Sequence, residues 1–188
     1  MQISTTGNET ILKSRQVLDM ITVANDFTLF VEKAGDYTRE QILVYFQRVL
    51  PAIYLKASLL PDVQVADEDA VEHYVTQEQW EQTFNEIREK LGQEDIFYFI
   101  DLHEKSQHDA IRASIAEGIT DLYQDLKDFL LLIQKPQLLF QENAVKECRR
   151  LFETRYGYKI VNCHAAIHYL LYQEGNSGGG EAEYLDIL

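Results

Sequence analysis

Glu117, Asp121, Asp125 and Asp128 are spaced by four, four and three residues. On a helix this spacing stacks the four carboxylates on one face. Mg2+ and Mn2+ take oxygen ligands of this kind, with carboxylates drawn from more than one helix. Glu78, Glu81, Glu86 and Glu89 could supply the second set. All-α nucleotide pyrophosphatases pair acidic motifs across helices in this manner. The chemistry to weigh is therefore metal-dependent hydrolysis of nucleotides or phosphoesters. The doubled-acid motif of that family is missing here. The stripe also falls opposite the main apolar face, where hydration accounts for it. The expectation is no cofactor and no resident metal, with Glu117, Asp121, Asp125 and Asp128 holding Mg2+ or Mn2+ as the alternative.

Cations that could answer the stripe cluster at Lys146, Arg149, Arg150 and Arg155. The expectation is a solvated face laced with intrahelical pairs to Glu147 and Glu153, with Arg149 or Arg150 answering the stripe as the alternative. Lys56 lies inside the apolar run Tyr54–Leu60, where a lysine snorkels its ammonium to water. Lys56, Asp121, Asp125, Asp128, Arg149 and Arg150 form the candidate ligand-binding set. His164 and His168 are four apart, a spacing that can share a metal. No Glu follows His164, so the metalloprotease motif is absent and a packed pair is expected. Cys148 and Cys163 fall on inward faces, where a thiol acts as a small hydrophobe. No phosphate-binding glycine loop, dinucleotide fingerprint or serine elbow is present. No catalytic residue is assigned.

The elements that would position these groups are helices. Only 9 Gly and 3 Pro punctuate 188 residues. Apolar residues recur at helical spacing from Lys13 to Ala34, with Leu18 and Leu29 widening the stripe. Gly35 reads as a left-handed stop. Thr38-x-x-Gln41 and Thr76-x-x-Gln79 are capping boxes for the second and third helices. Pro51 predicts a kink or break in the second. Residues 61–75 read as an acidic surface loop. Ile96–Ile100 reads as β-like, either an apolar loop or a partner of Val71–Val75, followed by a polar connector at His103–His108. A fourth helix from about Asp109 to Gln134 is apolar all round at its end, which makes it the centre of the bundle. Helices over 137–156 and 158–173, with a turn at Gly157, predict an antiparallel hairpin.

These elements define an all-α, single-domain bundle of about six helices with a C-terminal helical hairpin. Residues 1–12 form an N-terminal segment, 13–173 the helical domain, and 174–188 a Gly-rich linker with an acidic, apolar tail. Hydrophobic residues make up 46% of the chain, enough for a core. The net charge of −14 disfavours nucleic acid and anionic membranes, whose phosphates would be repelled. The first ten residues lack the basic start and apolar centre of a signal peptide, and no apolar stretch suits a membrane span. A cytoplasmic protein with reduced thiols is expected.

Four motifs carry a family resemblance. They are Tyr54-Leu-Lys-Ala-Ser-Leu-Leu-Pro61, Asp121-Leu-Tyr-Gln-Asp-Leu-Lys-Asp-Phe129, Glu142-Asn-Ala-Val-Lys-Glu-Cys148 and Leu151-Phe-Glu-Thr-Arg-Tyr-Gly-Tyr-Lys159. Through them the chain resembles domain of unknown function 5063, a family of Bacteroides-type bacteria, over about residues 15–173. The resemblance implies an all-α cytosolic domain and brings no activity or catalytic residues. The functional expectation is a non-catalytic binding or protein-interaction module, its partner an unknown protein or a second copy.

Overall fold

A computed structural model of the protein describes residues 5–65, 67, 70–101 and 109–172. The expected connector at His103–His108 and the segment 174–188 lie outside these residues. Six long helices build the bundle: α2 (Arg15–Val31), α3 (Arg39–Ser58), α4 (Gln77–Leu91), α5 (Ile115–Ile133), α6 (Leu138–Leu151) and α7 (Gly157–Tyr172). A short α1 (Thr5–Leu12) precedes them. It docks on the bundle: Asn8 is buried and donates to Gln64 O and Glu142 Oε1 at 2.9 and 2.8 Å.

α5 is the centre, as its all-round apolar end predicts. Twelve of its 19 residues are buried, and it packs on α2, α4, α6 and α7. α3 closes the bundle against α2 and α7. Each buried Ile, Leu or Phe side chain contributes about 1.5–3 kcal/mol. Leu18 and Leu29 belong to no second buried side of α2. Both are about half exposed. Gly35 sits in a 3-10 turn, Ala34–Asp36, after α2 has ended at Val31.

Both capping boxes form as expected. Thr38 and Thr76 accept from the amides of Gln41 and Gln79, whose side chains bond back. Pro51 does not break α3, which runs through it. Proline leaves the carbonyl four residues earlier without its amide partner. That carbonyl belongs to Gln47, and His164 Nε2 on α7 donates to it at 3.1 Å. His168 Nδ1 meets the Gln47 side-chain amide at 3.2 Å. The histidine pair therefore clamps α7 onto the proline turn of α3.

Two further expectations fail. The fourth helix does not start at Asp109. Ala110–Ser114 is a strand, β2, paired antiparallel with β1 (Ile96–Ile100) in the register Ile96↔Ser114. The residues Ile111, Ile115 and Ile119 recur at helical spacing across the boundary and hide it. Ser114 ends the strand and caps α5, accepting from the Glu117 amide at 3.0 Å. β1 therefore pairs neither as a loop nor with Val71–Val75.

The second failure is the C-terminal hairpin. Gly157 makes no turn: its φ and ψ are −58° and −45°, ordinary helical values. α6 continues through a π segment, Phe152–Tyr156, directly into α7. The Gly157 amide donates to Phe152 O, five residues back. The C-terminal region is one long helical run lying along α5 and α3.

A second close approach fixes α5 against α7. A β-carbon on Gly118 would stand 2.4 Å from Cys163 Sγ. Gly118→Ala should destabilise by about 1–3 kcal/mol through overpacking. Adding Cys163→Ala should recover part of that loss, so the pair is non-additive. Urea unfolding of the two single variants and the double variant measures it.

Candidate functional site

The polar stripe of α5 is buried rather than hydrated, contrary to the sequence expectation. Asp125 and Asp128 are 7% and 8% exposed. Each aspartate turns to a different set of donors. Asp121 accepts from Trp80 Nε1 of α4 at 3.0 Å and from Lys159 Nζ of α7. Asp125 receives a bidentate guanidinium from Arg155 in the π segment. Asp128 Oδ1 accepts the backbone amides of Tyr74 and Val75 at 2.8 and 3.1 Å, and Oδ2 meets His73 Nδ1 at 2.9 Å. The stripe thus ties α5 to α4, to α7 and to the loop before Thr76. Glu117 alone remains exposed.

Burial dominates the electrostatics here. It pushes the Asp125 carboxyl up to about 6, partly offset by Arg155 and Lys159 and aided by Asp121. Trp80, Lys159, Arg155 and His73 occupy the oxygens that a cation would need. The acids of α4 do not join them: Glu78, Glu81 and Glu89 are exposed, and Glu86 accepts from Gln82 on its own helix. Among the described residues no three His, Cys, Asp or Glu side chains converge to hold a metal ion. The cavity beside Asp125, Asp128 and Cys148 measures about 20 Å³. That is room for one water, far from the several hundred Å³ that a nucleotide-sized ligand needs.

Arg149 and Arg150 make the expected pairs with neighbouring acids of their own helical run and do not answer the stripe. Arg149 pairs with Glu153 at 3.0 Å and donates to Leu60 O at 3.1 Å. Arg150 chelates Glu147, whose carboxyl it holds below the usual range. The residues that answer the stripe, Arg155 and Lys159, fall five and nine residues after Arg150. Their spacing is only meaningful once the π segment is known. Lys56 does more than snorkel, since it pairs with Asp19 at 2.9 Å. The candidate set Lys56, Asp121, Asp125, Asp128, Arg149 and Arg150 is therefore not brought to one place.

The thiols are packed groups. Burial pushes both Cys148 and Cys163 up to about 12. Tyr156, fully buried, donates to Cys148 O at 3.0 Å and meets its sulfur at 3.3 Å.

A different feature has the dimensions of a binding site. β1 stands off the outer face of α7 and leaves a groove of about 420 Å³ between them. Ile96, Phe97, Tyr98 and Phe99 line one wall, and Ala165, Ala166 and Tyr169 line the other. Tyr98 is 65% exposed and Tyr169 57%. Ile100, Val161 and Tyr172 are exposed as well. The groove's acid, Glu94, is held by Arg39. Sequence carried a faint signal for it: the α7 segment is apolar on more than its core face.

The fold is a helical bundle whose acidic helix is held by internal pairing, with an apolar groove beside it. The chain belongs to the family described as Domain of unknown function (DUF5063), whose model matches residues 12–173. Among solved structures it is similar to the crystal structure of protein BF1032 from Bacteroides fragilis. That similarity has a TM-score of 0.78 at 28% identity and covers 89% of this chain and 99% of that one. No curated protein matches the chain. No helix among the described residues is long and apolar enough to cross a membrane.

Proposed function

We propose that the protein is a non-catalytic protein-interaction module that binds a short apolar segment in the groove between β1 and α7. The exposed groove carries the reading: apolar walls with aromatic rings standing in solvent are what a peptide anchor needs. The alternative, hydrolysis at a metal held by the α5 carboxylates, has no observation in its favour, because internal donors take those oxygens.

Selection of short peptides from a random display library against the full chain tests the reading. Selected peptides should bind in the micromolar range. Ala165→Glu, at an exposed groove position, should weaken them at least ten-fold. Leu59→Asp, on exposed surface beside the Arg149 contact, should leave them unchanged. Peptides insensitive to Ala165→Glu would sink the groove reading. Hydrolysis of nucleotides with Mg2+ or Mn2+ that is lost in Asp121→Asn would replace it with the enzyme.

A further inference from the structure

The groove has a candidate occupant on the same chain. We propose that the segment Glu183–Leu188 docks in it, as an internal competitor of the external partner. This rests on the groove being a binding surface. Glu183-Tyr-Leu-Asp-Ile-Leu188 offers Tyr184, Leu185, Ile187 and Leu188 as apolar anchors. They match walls built from aromatic rings and alanines.

Reach supports the docking. α7 ends at Tyr172, and the groove wall runs back along it to Asn162. Ten residues of helix cover about 15 Å. Ten Gly-rich residues, 173–182, separate α7 from Glu183. A chain of that length and composition has a root-mean-square reach of about 16–19 Å. Linker and span therefore match, the condition that maximises effective concentration.

Charge points the same way. Arg112 lies opposite Tyr98 in the hairpin register, so both side chains project from the same face. Arg112 is exposed and makes no ion pair among the described residues. Glu183 and Asp186 supply its complement. Glu94, which would repel them, is neutralised by Arg39. An external partner must displace the segment, so the groove binds weakly until competition favours the partner.

Disulfide trapping in the full chain tests this. Cys148 and Cys163 are buried and held protonated, so they do not compete in mild oxidation at pH 8. Tyr169→Cys with Leu185→Cys should close an intramolecular disulfide at least ten-fold faster than Leu59→Cys with Leu185→Cys. Both domain positions are exposed, so folding is not at stake. Leu185→Asp with Ile187→Asp should make display-selected peptides bind at least ten-fold tighter, because the competitor is gone. Equal trapping rates for the two cysteine pairs would overturn the proposal, as would trapping only between two copies. Groove-dependent peptide binding that persists alongside failed trapping would remove this inference and leave the binding reading in place.

Discussion

Gly157→Ala should destabilise the protein by about 2–3 kcal/mol, the cost of forcing a methyl into a filled space. Helix propensity alone gives the opposite sign. In a helix interior alanine is favoured over glycine by about 1 kcal/mol. Sterics decide the contest. A β-carbon at 157 would lie 2.5 Å from Phe152 O and 3.0 Å from the Phe152 ring. The carbonyl cannot move away, because it accepts the Gly157 amide and holds the π segment closed. Relaxing the π segment to an α-helix would remove one residue of phase. Every residue of α7 would then rotate by about 100°. Ile160, Cys163 and Ile167 would leave the core, and His164 would leave Gln47 O. Neither escape is cheap, so the strain stays. Urea unfolding checks the value. A loss of m along with midpoint would show α7 detaching before the rest. Unchanged or increased stability would mean that Phe152 shifts freely.

The same glycine shows where sequence reasoning stops. Glycine after a charged helix reads as a left-handed cap, because that is its commonest use at a helix end. The close approach of Phe152 O comes from the π segment five residues back, which no residue pattern announces. Local devices were legible: the two Thr-x-x-Gln boxes form as the pattern requires. The role of the histidine pair could not be read, although Pro51 announced an orphaned carbonyl. Which residue answers Gln47 depends on how α7 lies across α3. The acidic stripe shows the reverse case. Its face was correctly deduced from spacing, but its environment was not. Trp80, Arg155 and the loop amides of Tyr74 and Val75 cover it from three different elements. A stripe of charge reads as solvated only while those partners are unknown. The strand Ala110–Ser114 was hidden because its isoleucine continues the helical spacing of α5. Its pairing with Ile96–Ile100 is set across a connection that no local pattern describes.

Asp125→Asn should leave stability nearly unchanged at pH 4 and raise it by about 2 kcal/mol at pH 7. The sign follows from the direction of the shift. Burial raises the folded-state carboxyl from 3.8 to about 6. The native protein therefore binds a proton that the unfolded chain releases between those values. Stability from this group is fully present below pH 3.8 and is lost as pH rises through 6. A carboxyl raised from 3.8 to about 6 corresponds to about 3 kcal/mol, and solvent screening at Arg155, which is 42% exposed, reduces this to about 2 kcal/mol. Asparagine does not titrate, and it has the shape of the protonated acid, hence the equality at pH 4. The carboxyls held low by cationic partners, Asp19 by Lys56 and Glu147 by Arg150, titrate with the opposite sign at lower pH. They cancel in the difference, since both proteins keep them. Urea unfolding at pH 4, 5, 6 and 7 gives the curve. A variant less stable than wild type at pH 7 would show that the Arg155 pair outweighs the burial of its carboxylate. The expected curve has a structural meaning. A carboxylate kept ionised against its environment is there to hold Arg155, and through it the π segment that sets the phase of α7 and so the position of the groove wall.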